Sequence, residues 1–200
     1  YGAHSLSGGE LRFPLDPLWA SPAVDFIGLD AYWPLSDWRD GDEHADAEIA
    51  ATVHDIDYLK AQLSSGECYD WYYADANARA AQNRTPIVDG LGKPWVYRQK
   101  DILSWWSNPH IERVNGDELA QSTPWIAKSK PIWIIETGCP AVDRGANAPN
   151  IFPDLRSVEG GKPWFSRGFR DDLIQTRFLE ATLTHFDPSQ TGADAANPAK

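Results

Sequence analysis

The chain has no methionine, only two cysteines, and no excess of positive charge. With methionine absent throughout and tyrosine at position 1, the expectation is a segment processed or excised from something longer. Cys68 and Cys139 are too few for a disulfide framework and lack the CxxC spacing of a metal site, so two free thiols are expected. His4, His44, His54, His110 and His185 form no HxH or HxxxH pattern, which leaves a metal centre without ligands; no cofactor is expected. No apolar run reaches the roughly 18 residues that span a bilayer, and no signal-peptide pattern opens the chain, so membrane insertion is not expected. A net charge of −11 argues against nucleic acid and anionic membrane surfaces as partners.

What the chain does have is tryptophan, ten in 200 residues. So many indoles require a thick core or an aromatic-lined surface. Sugar-binding clefts use the second, because pyranose C–H faces stack on indole while nearby Asp, Asn and Arg take the hydroxyls. The length suits one domain with a sizeable core.

Two stretches read as strands buried on both faces. In "PAVDFIGLDAYWPLSD" the apolar residues Val24, Phe26, Ile27 and Leu29 lie between Pro22 and Pro34, predicting a strand over 24–30. In "KPIWIIETGCPAVD" a second strand is predicted over 131–136, ending in Glu136, with Thr137 and Gly138 turning the chain away. Residues 1–22 read as loop. "DGDEHADAEIAATVHDIDYLKAQLSSG" reads as helix for much of its length, as does "YDWYYADANARAAQ" (69–82). "TPIVDGLGKPWVYRQ" holds a turn and short extended pieces, and "KDILSWWSNPH" (100–110) is a short helix closed by Asn108 and Pro109. Residues 138–168 read as loop. "RDDLIQTRFLEATLTHF" (170–186) is an amphipathic helix with Leu173, Ile174, Phe178, Leu179 and Leu183 on one face.

Strands alternating with helices spell βα units on a parallel sheet. Strand parity puts Ile132, Ile134 and Glu136 on one face, Trp133, Ile135 and Thr137 on the other, and Phe26, Gly28 and Asp30 together on one face of the first strand. Asp30 and Glu136 then stand at carboxyl ends of strands, where barrel enzymes place their chemistry. Either is also compatible with a bland role: Glu136 as a solvated strand end, Asp30 as a turn starter that bonds its own backbone. A complete eight-stranded barrel needs about 250 residues, so only part of one is expected. A retaining glycosidase needs a carboxylate nucleophile aimed by its neighbours, and Tyr32 is the candidate hydrogen-bond donor to Glu136. Asp30, Trp33 and Asp37 would line the same mouth. Trp71, Tyr72 and Tyr73 read as packing residues, and Arg84, Lys93, Arg98 and Lys100 as ordinary solvated charge.

Three long stretches carry a resemblance: "DFIGLDAYWPLSDWRDG", "GECYDWYYADANARAAQNRTPIVDGLGKPWVYRQKDILSWW" and "SKPIWIIETGCPAVDRGANAPNIF". They resemble the TIM-barrel-like domain of the gene transfer agent baseplate megatron, a phage-tail host-specificity protein, whose domain is similar to clan A glycoside hydrolases. The resemblance implies an α/β fold, part of a (β/α)8 TIM barrel over residues 1–186. Its sixth and seventh strands would be 24–30 and 131–136, with a long helical insertion at 36–130 and a tail or linker at 187–200. It implies Glu136 at the nucleophile position with Tyr32 as its partner; Asp30, Trp33, Asp37 and Trp38 are expected toward the substrate. The acid/base glutamate would lie on a fourth strand, outside these residues. The implied partners are a polysaccharide or peptidoglycan-like glycan and other baseplate or tail proteins, in a phage-tail-like particle of bacterial origin. A non-catalytic glycan-binding or structural barrel is the alternative.

Overall fold

The computed structural model describes residues 2–154, 156–158, 160–187 and 189; most of the expected tail at 187–200 lies outside the described residues. The strands are β1 (His4–Ser5), β2 (Leu11–Arg12), β3 (Ile27–Ala31), β4 (Trp71–Tyr72), β5 (Thr85–Pro86), β6 (Arg113–Val114), β7 (Asp117–Glu118) and β8 (Ile132–Thr137). The α-helices are α1 (Asp16–Trp19), α2 (Ile56–Ala61), α3 (Ala76–Ala80), α4 (Ile102–Ser107) and α5 (Asp172–Phe186).

β3 and β8 lie side by side and parallel, as a βα reading requires, although about a hundred residues separate them in the chain. Ile27, Leu29 and Ile132 are almost fully buried against the core. The other face is open: Phe26 stacks on Trp133 at 4.0 Å, and Trp133 and Ile135 are 43% and 59% exposed. The expectation of burial on both faces therefore holds for one face only among the described residues. Gly28 sits where a Cβ would come within 2.9 Å of Ile135 Cδ1, so the open face is tightly stacked across the two strands.

Parity also needs correction. The register runs Leu29↔Ile134 and then Asp30↔Glu136, with a shift between Leu29 and Asp30 that leaves Ile135 as an extra residue. A bulge of this kind re-aims the side chains beyond it. Glu136 is thereby moved off the face of Ile132 and Ile134 and set beside Asp30, on the side of Gly28 and Trp133. Gly138, at φ +152°, then takes a backbone conformation that side chains other than glycine's rarely allow, and the chain leaves the strand there.

α5 closes the buried side. The Asp171 carboxylate caps it by accepting from the Ile174 N–H at 3.1 Å, and Ile174, Phe178, Ala181 and Thr182 form its buried stripe. Leu173 and Leu183, expected on that stripe, are 48% and 66% exposed. At about 100° per residue neither lies in line with Phe178. α2 packs against α5, and Leu59 from α2 is fully buried.

Helix is scarcer than the sequence suggests. Of residues 40–66, α2 and two short 3-10 turns are helical, and Asp55 caps α2 by accepting from Asp57 and Tyr58 N–H groups. The stretch 69–82 is helical only over α3. Its aromatic start forms β4, which pairs antiparallel with β5, because aromatic residues fit a pleated surface better than a helix. Residues 1–22, expected as loop, contribute β1 and β2 to a four-stranded sheet of order β1-β2-β6-β7.

Beneath that sheet His110 is fully buried, stacked on Phe13 at 4.4 Å and Trp125 at 5.3 Å, with Trp105 tilted at 4.8 Å. Its Nδ1 meets the Asp16 carboxylate and its Nε2 the Trp105 carbonyl, both at 2.8 Å. Much of the tryptophan content is spent here, in packing.

Candidate functional site

The carboxyl end of β3 opens into a cleft of about 770 Å³, with the end of β8 beside it through Glu136. Asp30, Tyr32 and Trp33 form its strand-end wall; Asp30 is exposed, Tyr32 half-buried and Trp33 buried. The Tyr32 hydroxyl donates to Glu136 Oε2 at 3.1 Å, joining the ends of the two parallel strands. Burial, then the hydrogen bond and charge of Glu136, then the charge of Asp30 hold the Tyr32 phenol above its ordinary value. At neutral pH it therefore stays a donor, with Glu136 Oε2 as its acceptor. Phe152 meets the Tyr32 ring edge-on at 6.1 Å and fixes its direction.

The opposite wall comes from the long segment between β3 and β8 and from the loop after β8. The segment supplies Glu67, Arg79, Trp95, Tyr97 and Arg98; the loop supplies Asn147 and Trp164. Asn147 is buried and uses both ends of its amide. Its Oδ1 accepts from Trp38 N–H at 3.0 Å, and its Nδ2 donates to the Trp38 and Trp164 carbonyls, each at 2.9 Å. One side chain thus pins the loop after β3 to the loop carrying Trp164. Arg79 donates twice to the Glu67 carboxylate, and its guanidinium lies over the Trp164 ring at 4.8 Å and the Tyr73 ring at 4.6 Å.

Asp37 and Trp38, expected at the mouth, lie behind it. Trp38 packs edge-on against His44 and Tyr58. Asp37 is 3% exposed and accepts from Arg39, from Tyr73 OH at 2.6 Å, from Gln82 at 2.9 Å and from Arg84 at 3.0 Å. Burial pulls the Asp37 carboxyl upward, but these hydrogen bonds and the charge of Arg39 outweigh it and leave it below the usual range. Burial and the same contact push the Tyr73 phenol up to about 12. Asp37 is therefore a structural clamp that fastens the β4–β5 hairpin and α3 to the end of β3.

The basic stretch is not solvated charge. Arg84 bridges Asp37 and Asp46 and lies over Trp71 at 4.2 Å. Lys93 pairs with Glu118 at 2.6 Å. Lys100 is 4% exposed and donates to the Gln62 and Ser65 carbonyls at 2.8 and 3.1 Å, with burial lowering its ammonium to about 8. Cys68, on the cleft wall, is a free thiol raised to about 11 by burial, so it is protonated at neutral pH and not a nucleophile.

The sequence profile of the GTA TIM-barrel-like domain matches residues 1–200. The chain belongs to the GTA TIM-barrel-like domain family. No curated protein sequence matches it. Membership in this gene-transfer-agent family agrees with a mixed α/β chain whose two longest strands are adjacent and parallel, though no closed barrel is formed among the described residues. Of the residues expected at the site, Asp30, Tyr32 and Trp33 line the cleft, and Glu136 is tied to it through the Tyr32 hydroxyl, beside Asp30 because of the bulge. Glu67, Arg79, Trp95, Tyr97, Asn147 and Trp164 do not stand out from the sequence as site residues. The signal available for them is weak: aromatic and basic residues interleaved through 67–98, and an Asn–Pro-rich loop after Glu136.

Proposed function

We propose that this chain is the strand-end half of a glycan-acting barrel in a gene transfer agent baseplate, and that its cleft takes a cell-envelope polysaccharide. In this reading β3 and β8 are the sixth and seventh barrel strands. Glu136 is the nucleophile of a retaining glycosidase, attacking the anomeric carbon while Tyr32 holds its carboxylate in line. The proton donor to the leaving oxygen is a glutamate on the fourth strand of the complete barrel, roughly 5–5.5 Å from Glu136. The observation that carries this is the 3.1 Å bond from Tyr32 to Glu136 at the rim of an aromatic cleft. The open apolar face of Phe26, Trp133 and Ile135 supports it too, since a barrel interior is a packed apolar surface that further strands would cover.

The test is Tyr32→Phe in the full-length protein. Loss of one hydrogen bond to a charged group is worth about 1.5–3 kcal/mol, so cleavage of a susceptible polysaccharide is expected to slow about tenfold to a hundredfold. Initial rates check this, and an unchanged rate contradicts the assignment.

One observation favours a second reading, a barrel that binds glycan without cutting it. Glu67, which lines the cleft, has its carboxylate engaged by two hydrogen bonds from Arg79, so the described lining residues present no free glutamate to a substrate. Saturable polysaccharide binding with no new reducing ends would select this reading.

A further inference from the structure

A second trough of about 700 Å³ lies beside the strand-end cleft, on the outer side of the β4–β5 hairpin. The two share Ser5, Cys68, Tyr97 and Gln99 in their walls, so they adjoin there, and a furrow running through both would pass Tyr97. The second trough is floored by Pro86 and Ile87 and flanked by Tyr72 and Val88, which are 46% and 75% exposed. Tyr97, at the junction, is 39% exposed.

Tyr72 differs from its neighbours. Successive side chains of a strand point to opposite faces. Trp71 and Tyr73 turn inward, where Trp71 carries the Arg84 guanidinium and Tyr73 bonds Asp37. Tyr72, between them, is left lining the trough. At the shared wall Cys68 has a φ of +67°, a left-handed conformation that turns the chain just before this hairpin.

Volume decides what such a furrow suits. A complete small-ligand site occupies roughly 300–1,000 Å³, and each trough reaches that range alone. Joined end to end, they exceed what one small molecule or one sugar unit fills. We infer that the furrow is an extended binding site for a linear oligosaccharide chain, with Tyr97 and Tyr72 as successive stacking platforms leading away from Glu136. This rests on the glycan reading of the strand-end cleft and adds that the insertion measures chain length. Tyrosine is well matched to such a platform, because its ring face stacks on a sugar while its hydroxyl remains available to water or to sugar hydroxyls.

The experiment is a length series. Oligosaccharides from disaccharide to decasaccharide, cut from a bacterial envelope polysaccharide, are titrated calorimetrically into the full-length protein and into Tyr72→Ala, Tyr72→Phe and Tyr97→Ala. Wild-type affinity is expected to rise with length by about tenfold for each platform reached. Tyr72→Ala should abolish the last rise and leave the shortest ligands within about twofold; Tyr72→Phe, which keeps the ring, should restore most of it. A wild-type affinity independent of length overturns the inference while leaving the glycan reading of the cleft standing. So does equal weakening of short and long ligands by Tyr72→Ala, or displacement of the long ligands by unrelated extended peptides. Failure to bind any glycan overturns both.

Discussion

Glu136→Gln in the full-length protein is expected to lower polysaccharide cleavage by at least about a thousandfold while leaving binding within about threefold. The amide is close in shape to the carboxylate but cannot form the glycosyl ester. Tyr32 can still donate to the remaining oxygen, so the 3.1 Å contact that orients the side chain survives the change. The substitution therefore separates chemistry from architecture. Glu136 is also exposed at the end of β8, so its replacement should cost little stability. Reducing-end assays and a parallel binding titration check the prediction. Turnover at the wild-type rate would remove Glu136 from the chemistry and leave a binding site.

The second large effect is on stability. Asp37→Ala is expected to destabilise the segment between β3 and β8 by about 3–5 kcal/mol, the usual result of removing one member of a buried charge network. Tyr73, Gln82, Arg39 and Arg84 all direct donors at this carboxylate. Alanine would leave Arg84 with Asp46 and the Trp71 ring, and Arg39 with the carbonyls of Arg79 and Ala80, the Tyr73 hydroxyl and the Phe165 ring, but with no carboxylate. Hydrogen exchange should show faster opening of β4 and β5 than of β3 and β8. The pH dependence has a definite sign. Because the Asp37 carboxyl is held below its ordinary value, its stabilisation is present above about pH 4 and is lost as pH falls through the lowered folded value. Asp37→Ala should therefore flatten the acid limb of the stability curve. A loss below about 1 kcal/mol, with that limb unchanged, would show that the clamp is dispensable.

The sequence is most legible where the chain is most regular. β3 and β8 are readable from short apolar runs bounded by proline, and α5 from its periodicity. Tyr32 and Glu136 can be paired because both follow such runs directly. Beyond that, local pattern fails for identifiable reasons. The bulge at Ile135 is invisible to parity counting, yet it decides that Glu136 stands beside Asp30 and not in line with Ile134. The 36–130 segment reads as more helical than it is because its alanine and charged residues satisfy helical propensity. Its actual order comes from long-range ion pairs such as Arg84 to Asp37 and Arg113 to Asp89. Asp37 looks like a mouth residue because it lies seven positions after Asp30. Its burial depends on Tyr73, Gln82 and Arg84, all far along the chain. The tryptophans divide between both uses that composition allows. Trp105 and Trp125 pack around His110, whereas Trp164 faces the cleft.

Trp164 gives the most direct test that a glycan occupies the strand-end cleft. Its ring is 43% exposed, and only its backbone carbonyl takes part in the Asn147 clamp, so Trp164→Ala keeps that clamp. The measurement is calorimetric titration of a bacterial envelope polysaccharide into full-length wild type and Trp164→Ala, with thermal midpoints as the fold control. Saturable binding is expected for the wild type, with about tenfold weaker binding by the variant at a midpoint lowered by no more than a few degrees, the cost of the Arg79 contact to the ring. Equal affinities, or no polysaccharide binding by the wild type, would contradict glycan occupancy of the cleft.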